Sequence, residues 1–447
     1  AHAAAVLWQH CGRCVPGRVV GFALFSMFFG AGNLLFPPYL GLVSGDSWII
    51  SLSGFILTDI ILALVVVMAA VKFDGDLDLT LSRAGKKFAR AIIIASILCI
   101  GPLLAIPRNG ATTYEMGIAP ILGFESPIAK LIVSIVFFGL TLLLTIRPSK
   151  VVDIIGKFLT PALLLCLGLL IVMGIFTPIG DVSNTQLIEN NLFAEGVEQG
   201  YQTLDTLAAV AFSTVAITAI AQRGYTDSKE KIKLTLQAGV ISGIFLAVVY
   251  AGLTYLGSML STTYGADTPQ ATLMVIITNA ILGKPGKIVL GIIVSLACLT
   301  TSIGLTSSTA TYFSTISNGK VKYESIVIGV SVFSLVLANF GVSTIIQFSA
   351  PILQIVCPVL VAIIATTFLD KYISNDNVFK GVAYTTLLVS ILSVGSSLFT
   401  LTQISNLLSK LPLAQYGFNW VLPAILGGVV GAFIKTKSNV KVNKKIG

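Results

Sequence analysis

The chain has 447 residues, of which 55% are hydrophobic and only 11% charged, with a mean hydropathy of +0.93. Soluble domains carry about 25% charged residues, so this is the composition of an integral membrane protein. The net charge of +9 does not indicate a nucleic-acid partner, because its bases are spread over alternate loops instead of one face.

Residues 1–18 look foreign to the rest and read as a cytoplasmic tail or a sequence artefact. His10, Cys11 and Cys14 make half of a zinc site, but no second ligand pair follows. The remaining cysteines, Cys99, Cys166, Cys298 and Cys357, fall in apolar runs and read as packing residues.

Twelve membrane spans are predicted, at about 20–43, 47–71, 88–114, 126–146, 151–177, 200–222, 234–261, 282–315, 324–340, 343–369, 379–406 and 416–434. The runs are too long for core helices and too continuous for barrel strands, so the fold is an all-α membrane bundle.

Span one, GFALFSMFFGAGNLLFPPYLGLVSG over residues 21–45, is apolar yet interrupted. Gly30, Gly32 and Asn33 weaken the helix, and Pro37-Pro38 follow. Broken backbone inside a bilayer survives only where protein buries it or a wet cavity receives it. A first half-helix ending near Phe29 would free the carbonyls of residues 26–29 for a cation. A second half-helix beginning near Asn33 would offer N–H groups to a carboxylate. The stretch reads either as a packing kink or as the discontinuous helix of a transporter.

The loops give the orientation. Lys72, Arg83, Lys86, Lys87 and Arg90 follow span two; Arg147 and Lys150 follow span four; Arg223, Lys229, Lys231 and Lys233 follow span six. Lys320 and Lys322 follow span eight, Lys371 follows span ten, and the tail carries five more lysines. The other side is acidic, with residues 178–199 as its longest loop. Bases on alternate loops place both termini in the cytoplasm.

In span eight, Ala297, Thr300 and Thr301 share one helix face. Their carbonyl and hydroxyl oxygens would suit a singly charged hard cation. Hydroxyls that merely bond their own helix would look the same in sequence.

FALFSMFFGAGNLLFPP in span one and GPLLAIPRNGATTYE in span three resemble the bacterial branched-chain amino acid:cation symporters. The resemblance runs over residues 20–435. It implies a LeuT-like fold of two inverted five-helix repeats, with helices 1 and 6 discontinuous. The repeats would span about 20–177 and 200–369, with extra helices at about 379–434, all in one membrane domain over 19–435, and a basic tail over 436–447. It also implies symport of leucine, isoleucine and valine with Na⁺, held by carbonyls of Ser26, Phe29 and Ala297 and hydroxyls of Thr300 and Thr301. The location implied is the bacterial inner membrane, with lipid around the protein and no obligate protein partner. Span six has no Gly or Pro over residues 204–213, so its break rests on the resemblance alone.

The implied substrate is a zwitterion. Its carboxylate would meet Gly30, Ala31, Gly32 and Asn33, and its ammonium the carbonyls freed near residues 208–213, Ala209 among them. Its side chain would lie among Met27, Ile106 and Phe212. Asp59, Arg108 and Asp205 fall inside predicted spans, where a centred charge costs roughly 2.5–3.5 kcal/mol. They read as a structural Arg–Asp pair or as coupling and gating groups, and a proton-coupled carrier or exchanger is the alternative they leave open. Pro102 and Pro107 bracket a kink in span three. Both histidines, His2 and His10, lie in the odd leader, which speaks against His-based catalysis. No tetrameric filter loop suggests a channel.

Overall fold

The computed structural model describes residues 16–73, 81–146, 160–222, 224–225 and 227–434. The C-x-x-C of the leader, Arg147, Lys150, Asp153, Arg223 and the basic tail lie outside the described residues.

Every one of the twelve predicted apolar stretches contains a helix. The first stretch holds α1 (Pro16–Phe28) and α2 (Ala31–Ser44), and the second holds α3 (Trp48–Ile56) and α4 (Leu62–Lys72). Next come α5 (Lys86–Leu98), α6 (Ala105–Thr112), α7 (Pro127–Thr145) and α8 (Thr160–Phe176). Then follow α9 (Leu192–Gln202), α10 (Asp205–Gln222), α11 (Ser228–Ser258), α12 (Gln270–Leu282) and α13 (Lys284–Ile316). The last are α14 (Tyr323–Ala338), α15 (Val342–Phe368), α16 (Asp376–Leu398) and α17 (Val421–Phe433). Among the described residues, seven helical segments are long and apolar enough to cross a membrane, and the bent pair α9–α10 makes an eighth.

Two elements differ from the predicted spans. α12 falls between spans seven and eight, and its 13 residues are too few for a 20-residue criterion. α9 begins in the stretch expected to be an acidic loop. Asn191 caps it, its side chain accepting from the N–H groups of Phe193 and Ala194 at 2.9 and 3.2 Å. Small residues then let α9 lie directly on α3: a Cβ on Gly196 would fall 1.9 Å from the Ser51 carbonyl oxygen, and one on Gly54 2.2 Å from that of Phe193.

Pro37 and Pro38, expected to follow the break, lie inside α2 and are buried. Their missing N–H groups leave the carbonyls of Asn33 and Leu34 without helix donors. Span three kinks as predicted, but the turn is made before Pro107. A π-type segment, Cys99–Leu103, contains Gly101 in a non-helical conformation. A Cβ there would sit 2.8 Å from Thr309 Oγ1.

The chain divides into two compact units, residues 1–75 with 97–350, and residues 76–96 with 351–447. In the first, α11 packs along α1 and α2, α9 on α3, α10 on α4, and α13 against α1 and α6. In the second, α16 and α17 touch backbone to backbone: a Cβ on Gly381 would lie 2.0 Å from the Gly427 carbonyl oxygen. Arg83 ties that unit together, with 2.7 Å bonds to Asp370, Asp376 and the Ile373 carbonyl, over the Phe379 ring. Cys99, Cys298 and Cys357 are buried.

Candidate functional site: two broken helices

The break in span one is two residues long. α1 ends at Phe28 and α2 begins at Ala31, leaving Phe29 and Gly30 between them. In a continuous helix the Gly30 N–H would bond the Ser26 carbonyl. It donates instead to Asn33 Oδ1 at 2.9 Å. The Ser26 carbonyl is thereby released, and the hydroxyls of Thr300 and Thr301 lie 2.8 and 3.3 Å from it. The Thr300 hydroxyl is also 2.9 Å from the Ala297 carbonyl. Four of the five residues named for Na⁺ therefore bring neutral oxygens to one buried point on α1 and α13. Phe29, the fifth, adjoins Gly30, whose Cβ position is 3.0 Å from Thr301 Oγ1.

Neither Gly30 nor Gly32 has a positive φ. These glycines are needed for space: a Cβ on Gly32 would lie 3.0 Å from both Arg108 Nη2 and the Thr203 Cα. Asn33 is helical as well, and its side chain does the work at the break. The N–H groups that open α2 are those of residues 30–33. That of Gly30 is bonded to Asn33, and that of Ala31 donates to Asn109 Oδ1 at 3.1 Å. Asn109 also donates to Ser302 Oγ at 3.1 Å, so it joins α2 to α13.

The second break lies earlier than expected. α9 and α10 meet at a 44° bend after Gln202, and Leu204 takes the left-handed conformation at φ 73°. Residues 208–213, expected to offer free carbonyls, are inside continuous α10. The carbonyls actually released are those of Gln202 and Thr203. Arg108 holds both, through Nη1 at 2.6 Å and Nη2 at 3.1 Å, with its guanidinium 5.6 Å from the Phe36 ring. Arg108 thus serves the break itself. Asp205 is a neighbouring charge, and among the described residues no direct ion pair joins the two.

Asn33 connects the two breaks. Its amide donates to Asp205 Oδ2 at 2.9 Å and to the Tyr250 hydroxyl.

A small cavity lies between them. It is lined by Gly30, Ala31, Gly32 and Asn33, by Arg108 and Asn109, by Thr203, Leu204, Asp205, Ala208 and Phe212, and by Thr301. Its volume is about 10 Å³, room for about one water. Met27, Ile106 and Ala209 are fully buried but are not on its walls. Met27 packs instead against Gly304 of α13. Asp59 is buried behind the wall, 1% exposed. Asn109 and Thr203 were missed by sequence reasoning. Asn109 adjoins Arg108 in the PRNGATTYE run of span three, and a polar amide there is the signal that points to it.

Comparison with known proteins decides the family. Residues 17–438 match the family described as Branched-chain amino acid transport protein. The chain belongs to that family. It is 37% identical over 420 residues to the branched-chain amino acid permease BraB of Bacillus subtilis (strain 168), covering 92% of this chain and 94% of BraB. It is 33% identical over 433 residues to the permease BrnQ of the same organism, covering 94% and 98%. As a member of this transport family, the chain is a transporter and not an enzyme. Its fold is LeuT-like. The nucleobase-cation-symport-1 transporter Mhp1 superposes with a TM-score of 0.60 at 13% identity, over 93% of this chain and 91% of Mhp1. MhsT, solved with L-phenylalanine, gives 0.55 at 15% identity, over 93% and 98%.

Proposed function

We propose that the protein is a secondary active transporter of the bacterial inner membrane that takes up leucine, isoleucine and valine by symport with Na⁺, with both termini cytoplasmic. The observation that carries the ion is the Ser26 carbonyl, freed at the break and faced by Thr300 and Thr301. Buried neutral oxygens of this kind suit a singly charged hard cation. Rotating the two hydroxyls would turn their lone pairs toward it. Na⁺ is here a co-transported substrate, and it would tie α1 to α13.

The amino acid would dock beside it. Its carboxylate would meet the N–H groups of Gly32 and Asn33, at the positive end of α2. Because Arg108 occupies the carbonyls of Gln202 and Thr203, the ammonium would face the wall where α10 begins, at residues 203–205. The side chain would lie toward Ala208 and Phe212. Leucine does not fit a cavity of about 10 Å³, so binding requires the two broken helices to separate, as rocking-bundle transport does. Each buried CH₂ adds about 0.8 kcal/mol, so the three substrates should bind within tens-fold of one another and glycine should fail.

The test is leucine uptake into proteoliposomes under imposed gradients. An inward Na⁺ gradient at equal pH should drive accumulation. Uptake indifferent to Na⁺ under every gradient would remove the sodium reading. Proton coupling is the second reading, and the buried Asp59 and Asp205 are the observation that favours it.

A further inference from the structure

Asp59 sits on a π-type segment, Leu57–Ile61, and both its carboxylate oxygens are buried without a hydrogen-bond partner among the described residues. Thr203, Tyr250 and Asp205 lie beside it. The segment is fixed to both sides of the second break. The Thr206 hydroxyl donates to the Thr58 carbonyl at 2.6 Å, and Thr58 donates to the Val197 carbonyl at 3.2 Å. Asp205 is held from the first break by the Asn33 amide. Two carboxylates are therefore buried together with one guanidinium, that of Arg108, near Asp205. Among the described residues, other titratable groups nearby do not change this count. Tyr250 is neutral as a phenol, Glu195 bonds Gln199 at 2.8 Å, and Glu195 and Glu198 face Tyr39.

With both carboxylates ionised, this arrangement leaves one negative charge uncompensated. Burying a lone charge costs several kcal/mol even after relaxation. A zwitterionic substrate adds no net charge, so substrate binding does not balance it. We propose that Asp59 and Asp205 form a second cation site, taking one cation of unit charge and separate from the oxygens of Ser26, Ala297, Thr300 and Thr301. The oxygens of Asp59, Asp205, Tyr250 and Thr203 are of the kind that receives either Na⁺ or a proton. Because Asn33 bonds both Asp205 and the Gly30 N–H, filling this site is linked directly to the shape of the first break. The inference rests on the transporter reading above and adds a second ion to each cycle.

The experiment counts charges. The full chain is reconstituted in proteoliposomes, and the membrane voltage that just halts net leucine movement is measured at known gradients. Wild type should move two charges per leucine. Asp59→Asn, isosteric and uncharged, should move one, and at 100 mV its leucine accumulation should fall by about 50-fold. Varying the Na⁺ and pH gradients separately tells the two ions apart. A pH-dependent halting voltage assigns a proton, and a sodium dependence of twice the single-ion slope assigns Na⁺. One charge per leucine in wild type, or an unchanged count in Asp59→Asn, overturns the proposal. Should the variant fail to fold, the wild-type count decides by itself. The first site is tested independently by Thr300→Ala with Thr301→Ala, whose failure to alter sodium dependence would leave the charge count untouched.

Discussion

The two helix breaks reach the same end by different chemistry. At the first, small residues and two amides, those of Asn33 and Asn109, suffice. Gly30 and Gly32 make room, and Asn33 captures the Gly30 N–H that Ser26 loses. At the second there is neither Gly nor Pro. A leucine is held at φ 73°, where a non-glycine residue costs on the order of 1–3 kcal/mol, and an arginine from another helix donates to the displaced carbonyls. The release of the Ser26 carbonyl at the first break is written into its own neighbours, whereas the second break is imposed by a partner 94 residues away in sequence. A local interruption can be read from a stretch of sequence, but an imposed one cannot.

The largest expected effect breaks both at once. A side chain on Gly32 would meet the Arg108 guanidinium and the Thr203 backbone, so the glycine sits where the two breaks meet. Gly32→Leu should abolish leucine uptake while the protein still inserts in the membrane. Normal uptake in that variant would mean that the close approach is not needed for transport. Next is Arg108→Ala, which strands two buried carbonyls at the second break. At about 1–3 kcal/mol for each unpaired group, uptake should fall on the order of 100-fold or more. Arg108→Lys keeps the charge but not the two-pronged reach, and should recover only part of the loss. Equal activity of Arg108→Lys and wild type would show that charge alone matters there.

The same contrast explains how much could be read in advance. The helical character of the twelve stretches followed from their apolar length. The meeting of the Thr300 hydroxyl with the Ala297 and Ser26 carbonyls followed from the expected break after Phe29 and from the 297–301 spacing, because helix periodicity fixes which side chains share a face. α12 escaped because it is too short, and α9 because its sequence is polar on one side. The misplaced break in span six has a deeper cause. Leu204 carries no local signal, since its conformation is set by the Arg108 bonds to residues on its N-terminal side, which are contacts in space. Asn109 was equally silent as a ligand of the Ala31 N–H, though its position in span three was plain. Asp59 and Asp205 were visible as membrane charges, but only folding places them together.

Sharpening the comparison requires variants confined to the first break. Thr300→Ala with Thr301→Ala removes two oxygens facing the Ser26 carbonyl and leaves the second break intact. Sodium stimulation of leucine binding should weaken on the order of 10- to 100-fold, taking about 1.4 kcal/mol per tenfold, while binding at saturating Na⁺ persists. Unchanged stimulation would move the ion elsewhere.

The smallest effect tests whether the glycine of the first break acts through space or through backbone freedom. Gly30 has φ −115° and ψ −156°, an extended conformation open to any residue, so Gly30→Ala carries little backbone penalty. What it meets is Thr301, with the new Cβ 3.0 Å from Oγ1 and 3.1 Å from Cγ2. Thr301 must yield by a few tenths of an ångström, and sodium stimulation should weaken by about fivefold, for roughly 1 kcal/mol of strain. Adding Thr301→Ser deletes the Cγ2 contact while keeping the hydroxyl, and should restore most of the loss. Restoration would assign the effect to crowding at the cation oxygens. A loss that Thr301→Ser leaves untouched would instead assign it to the backbone, and the two breaks would then both depend on conformational strain.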